Sequence, residues 1–109
     1  MKKYCLALDL KDDPELIAEY EAHHKKARPE IKESITSAGI TNMEIYRTGN
    51  RMFMIMETTD DFDFDAKTAM DEANEKVQEW EAFTWKFQQP LPWAAPGEKW
   101  ILMDKIFQL

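Results

Sequence analysis

Tyr20 and His24 stand four residues apart in EYEAHHKKARPE, residues 19–30, a segment that also holds the chain's other histidine, His23. Four residues is about one helical turn, so on a helix the two side chains share a face, with β-carbons roughly 5–6 Å apart. An imidazole gives or takes a proton near neutral pH, and a phenol hydroxyl holds a hydroxylated or acidic ligand by both donating and accepting. The pair therefore suits proton transfer on a hydroxylated molecule. It equally suits amphipathic packing with satisfied hydrogen bonds, and the spacing alone favours that plainer use. His23 is turned by about 100° from His24. The apolar stripe through Ile17 and Tyr20 selects His24 as the inward histidine and leaves His23 to solvent.

Trp80 and Trp85, in VQEWEAFTW, carry flat apolar faces that can stack on a sugar ring, although core packing is the commoner use of either taken singly. Trp93, in PLPWAAP, is placed to help close a cavity. Met52, Met54 and Met56 fall on one face of an alternating run and read as adaptable core or dimer filling. The chain has no HExxH, no cysteine pair, no acidic triplet and neither GxGxxG nor GxxxxGK[ST], so no metal and no cofactor is expected.

The elements that must position these residues follow from hydrophobic period. KYCLALDL alternates, with Tyr4, Leu6, Leu8 and Leu10 on one face of a first strand and Cys5, Ala7 and Asp9 on the other. Asp13 is placed to cap a helix that starts at Pro14. Pro29 interrupts that helix, and a second helical stretch carries Ile31, Ile35 and Ala38 as far as a stop at Gly39. TNMEIYRTGNRMFMIMET is an antiparallel hairpin, two alternating runs around a Gly-containing turn. Residues 60–88 read as more helix, broken near Asn74, with Val77, Trp80, Phe83 or Thr84, and Phe87 as the inward stripe of the second piece. After a proline-stiffened loop, KWILMDKIFQL is apolar on both faces and reads as a final strand, central or interfacial. The order is βαββαβ, the α+β, ferredoxin-like plan of an antiparallel sheet with helices on one face. Its other sheet face needs cover, which a homodimer provides.

At 109 residues the chain is read as one domain, residues 1–109. Its net charge of -7 disfavours nucleic acid and anionic membrane surfaces. The single cysteine, Cys5, cannot close an internal disulfide, and YCLALDL is interrupted by Asp9 short of a signal-peptide core or membrane span. A cytoplasmic protein that binds a neutral or cationic small molecule is expected.

Taken in order, Tyr20 and His24 on the first helix, Pro29-Glu30, Asn42 and Tyr46 in NMEIYRTGNRMFMIMET, Trp80 in VQEW and the C-terminal KIF resemble the L-rhamnose mutarotase family, which includes L-fucose mutarotase-like members. The resemblance runs from KKYCLALDL to MDKIFQL. It implies a cytoplasmic homodimer of ferredoxin-like subunits, a dimeric α+β barrel, that interconverts the anomers of a monosaccharide without a cofactor. The sugar implied is a 6-deoxyhexose, L-rhamnose first and L-fucose as the alternative. Residue by residue, it implies that His24 is the proton donor, that Tyr20 binds substrate, and that Trp80 is the first of a tryptophan pair lining the sugar site. Glu81 stands where the second tryptophan is often found, Met43 where some members have a substrate-contacting tyrosine, and Arg28 where a tryptophan precedes Pro-Glu. Met43, Glu81 and Trp93 are accordingly expected at the substrate, and Arg28 is placed to pair with Glu81 or to meet a polar substituent. Two readings from other classes stand beside this one: a non-catalytic dimeric sugar-binding relative, and a fold-related monooxygenase.

Overall fold

A computed structural model describes all residues, 1–109. Strand β1 (Lys2–Leu10) is followed by helices α1 (Pro14–Lys25) and α2 (Pro29–Thr36), then by the hairpin β2 (Ile40–Thr48) and β3 (Arg51–Thr58). Helices α3 (Phe64–Glu72) and α4 (Glu75–Trp85) lead into two short strands, β4 (Gln88–Gln89) and β5 (Ile101–Leu102). The sheet order is β2-β3-β1-β4, with β5 also on β1 and every pairing antiparallel. That is the ferredoxin-like order.

Local chemistry sets the breaks between helices. The Asp13 side chain accepts from the backbone N–H groups of Glu15 and Leu16 at 2.9 and 3.3 Å, and Pro14 fills the first helical position, where no N–H is needed. Pro29 separates α1 from α2, and Asn74 caps α4 by accepting from Lys76 and Val77. Gly39, past the end of α2, adopts φ +99°, and a β-carbon there would lie 2.8 Å from Thr59 Oγ1. Gly39→Ala should therefore cost about 1–3 kcal/mol through backbone strain and this clash. A denaturation midpoint equal to wild type would show that the turn relaxes freely.

Packing follows the strand alternation. Leu8 faces Met52, Leu6 faces Met54 and Tyr4 faces Met56 across β1 and β3, and all three methionines are buried on the face the helices cover. One core cluster joins Leu8, Leu10, Tyr20, Met52 and Phe87, and the other joins Leu6, Ile40, Met54, Met56 and Phe62. The opposite sheet face carries Cys5, Ala7 and Asp9 opposite Ile55, Phe53 and Arg51.

The final strand departs from the sequence reading. Only Ile101–Leu102 of KWILMDKIFQL is strand, and residues 103–109 have no regular structure. The position beside β1 is filled twice, by Gln88–Gln89 against Asp9 and Leu10 and by Ile101–Leu102 against Leu6 and Ala7, with the loop between them looping out. This strand position is the sheet's edge, not its centre. A run apolar on both faces proved to be an edge segment and an exposed tail, in which Ile106, Phe107 and Leu109 lie open.

Candidate active site

Helix α1 lies across the sheet with Tyr20 as its one buried residue. His24 sits one turn later, half-buried, with its ring 4.3 Å from that of Tyr20 and 5.4 Å from that of Trp80 on α4. The Nδ1–H of His24 donates to the Tyr20 carbonyl oxygen at 2.9 Å. A carbonyl only accepts, so Nδ1 carries the hydrogen and Nε2 of the neutral ring keeps its lone pair. The helix backbone thus fixes both the tautomer and the tilt of the imidazole. His23 is exposed but not idle, because its ring packs edge-on against Phe83 at 4.7 Å.

Burial pushes the Tyr20 phenol above its ordinary value of 10.0, and a hydrogen bond from Gln88 partly opposes the shift. Gln88 Nε2 donates to the Tyr20 hydroxyl at 3.2 Å, which leaves the hydroxyl hydrogen of Tyr20 free to donate. Tyr20 is therefore a neutral donor at any physiological pH.

The raised Tyr20 value has a stability consequence of definite sign. The benefit of keeping the phenol neutral is whole below about pH 10, where the unfolded chain's tyrosine is also neutral, and is lost as pH climbs towards the folded value. Tyr20→Phe should thus lose stability more slowly than wild type above pH 10. The difference in slope approaches about 1.4 kcal/mol per pH unit. Urea unfolding of both proteins at rising alkaline pH reads it, and parallel slopes would contradict the burial effect.

A cavity of about 690 Å³ opens between α1, α2, α4 and the helix-covered sheet face, lined among others by Tyr20, His24, Met43, Trp80, Glu81 and Gln88. The structure therefore gathers five of the sequence-selected residues, Tyr20, His24, Met43, Trp80 and Glu81, around one space large enough for a monosaccharide. A smaller hollow of about 490 Å³ flanks the same tyrosine and histidine on the side of Glu21 and Arg47. It lacks Trp80, so the larger cavity is the better sugar site.

One expectation fails, and one of the two readings of Arg28 is not met. Trp93 does not reach this cavity: its ring lies 5.2 Å from the Arg51 guanidinium, and Arg51 belongs to the opposite sheet face, paired with buried Asp9 at 2.8 and 3.1 Å. The cation–π contact holds the loop there. Arg28 forms no ion pair with Glu81; its guanidinium stacks over Trp80 and Phe83 at 5.1 and 5.6 Å. The indole that was read as a free sugar wall is thus partly occupied by this chain's own cation.

Sequence reasoning missed Gln88 and the Lys67–Asp71 ion pair, all of which line the cavity. Lys67 and Asp71 are four apart on α3, a spacing usually spent on a solvated helix face. Gln88 is signalled only by its register opposite Leu10, which the helical reading of residues 75–88 hid. No three His, Cys, Asp or Glu side chains are grouped closely enough to hold a metal ion, and no helix is long and apolar enough to cross a membrane.

Known proteins resemble this chain at the level of family and fold. A family model described as L-rhamnose mutarotase matches residues 3–109. The chain is 45% identical to the L-fucose mutarotase of Xanthomonas campestris over 100% of its own length and 89% of that protein's. It is 39% identical to a UPF0734 protein of Dictyostelium discoideum, covering 99% of this chain and 90% of the other. Among solved structures, an L-rhamnose mutarotase of Formosa agariphila superposes with a TM-score of 0.73 at 19% identity, covering 100% and 99% of the two chains. The tetracenomycin F2 cyclase of Streptomyces glaucescens superposes with a TM-score of 0.62 at 15% identity, covering 100% and 99%. At such identities these two show the fold alone.

Proposed function

From the premise that the chain belongs to the L-rhamnose mutarotase family, we propose that it interconverts the α and β anomers of 6-deoxy-L-hexoses in the cavity between α1, α4 and the sheet. L-rhamnose and L-fucose, the sugars its relatives are named for, are the substrates. The observation that carries the reading is the His24 imidazole, locked by the Tyr20 carbonyl with Nε2 free beside a buried, protonated phenol.

Mutarotation needs only proton traffic. Nε2 of His24 takes the proton of the anomeric hydroxyl as the C1–O5 bond opens and C1=O1 forms, and it returns that proton to O5, leaving the neutral open-chain aldehyde. Rotation about C1–C2 followed by the reverse steps gives the other anomer, with no net gain or loss of protons. The Tyr20 hydroxyl donates to the oxygen on which negative charge develops, and its burial strengthens that interaction. Trp80 and Met43 offer apolar surface to the 6-methyl group and the apolar face of the ring, while Glu81 offers an acceptor at the rim.

We further propose that the protein is a homodimer closed through the open sheet face. The support is the apolar character of that face, where Phe53 and Tyr46 are exposed beside Ile55, and of the open tail with Ile106 and Phe107. Patches of this kind mark interaction surfaces. A cytoplasmic location accords with metabolism of a free monosaccharide.

Polarimetry tests the activity. Catalytic protein should hasten the drift of freshly dissolved α-L-rhamnose, or of a single L-fucose anomer, to its equilibrium rotation. Saturable sugar binding with an unchanged drift would replace the enzyme with a binding module.

A further inference from the structure

Gln88 combines two properties that a packing residue rarely has together. It is only 6% exposed, and its side-chain carbonyl oxygen, Oε1, is a buried acceptor without any hydrogen-bond partner. Such an atom costs roughly 1–3 kcal/mol of desolvation, and buried polar groups are otherwise almost always paired. The other half of the same amide donates to the Tyr20 hydroxyl at 3.2 Å, and Gln88 lines the cavity with Tyr20, His24 and Trp80. Gln88 is not simple filling, because an apolar side chain of its length would fill the space without the orphaned acceptor.

On the mutarotase reading, the order of groups along the cavity wall assigns a target to that acceptor. His24 addresses O1 and O5, and the Tyr20 ring lies against the His24 ring at 4.3 Å. Gln88 is one hydrogen bond beyond Tyr20. The sugar hydroxyl one carbon beyond the anomeric centre is the 2-hydroxyl. We propose that Gln88 is a substrate-binding residue that accepts a hydrogen bond from the 2-hydroxyl while it aims the Tyr20 hydroxyl at the anomeric oxygens. Because L-fucose and L-rhamnose differ in configuration at C2 as well as at C4, Gln88 is then also one determinant of the preference between them.

The test compares L-fucose with 2-deoxy-L-fucose, each rate normalised to its uncatalysed anomer exchange, for wild type and Gln88→Met. Methionine keeps the length and removes both amide groups. The expected result is a loss in kcat/KM about tenfold larger on L-fucose than on the 2-deoxy sugar, the scale of one neutral hydrogen bond, with the smaller loss common to both sugars reporting the released Tyr20 hydroxyl and an unchanged or higher melting temperature. Equal losses on both sugars, or none on either, overturn the assignment. Should Gln88→Met fail to fold, wild type alone decides, since it must prefer L-fucose to the 2-deoxy sugar by about tenfold, and equal normalised rates overturn the proposal. Wild type that accelerates neither sugar contradicts the mutarotase reading itself.

Discussion

His24→Ala should slow catalysed anomer exchange by about 10²–10⁴-fold, the usual contribution of a placed general acid–base group, while the protein stays folded. The two halves of this expectation come from different features. Rate depends on Nε2, the nitrogen of the His24 imidazole left free once Nδ1 has donated to the Tyr20 carbonyl. Stability depends little on the side chain, because His24 is only half-buried and belongs to neither core cluster. A residue kept only for packing would show the reverse, a lowered melting temperature with the rate retained. His23→Ala is the matched control: its ring lies on Phe83, so its removal should leave exchange within a few-fold of wild type.

Phe53→Asp should convert a dimer to a monomer. Phe53 lies opposite Ala7 on β1 and Tyr46 on β2, in the middle of the face that no helix covers. A dimer closed through this face is isologous, so each substitution removes two aromatic anchors and places two carboxylates near the same axis. Loss of one such anchor commonly costs 2 kcal/mol or more, roughly thirtyfold in dissociation constant, and the buried carboxylates add to it. The variant should still fold, because Met52 and Met54 on either side of it in sequence hold the core face. Light scattering after size exclusion reads the mass directly. A monomeric wild type, or an unchanged dimeric mass in the variant, would remove this face as the interface.

The parts of the molecule that were legible in the sequence are those whose signal is local. The hairpin followed from strict alternation around Gly49, which adopts φ 57°, the start of α1 followed from the capping side chain of Asp13, and the break near Asn74 is where that side chain caps α4. Tyr20 and His24 were legible because one helical turn brings them together wherever the helix lies. Trp80, Met43 and Glu81 reached the same cavity through family resemblance, and periodicity alone would have left them as core and surface.

The parts that were not legible depend on register between distant segments. Trp93 was read as a cavity wall, yet pairing of Asp9 with Arg51 across β1 and β3 draws it to the other side of the sheet. Pairing with Glu81 was one of two uses the sequence left open for Arg28, and the turn at Pro29 carries its guanidinium onto the Trp80 ring instead. The C-terminal run was apolar on both faces, which describes a central strand and an exposed adhesive tail equally well. Gln88 was invisible for a related reason: a glutamine that ends an aromatic helical run reads as the helix's last turn until Leu10 is known to be its partner.

The most direct test of the account is exchange spectroscopy on equilibrated L-fucose and L-rhamnose, following magnetisation transfer between the anomeric protons with catalytic amounts of wild type and, separately, of His24→Ala. The account predicts transfer well above the uncatalysed rate with wild type and a return to near the uncatalysed rate with His24→Ala. Transfer by His24→Ala equal to that of wild type would show that the proton carrier is not His24.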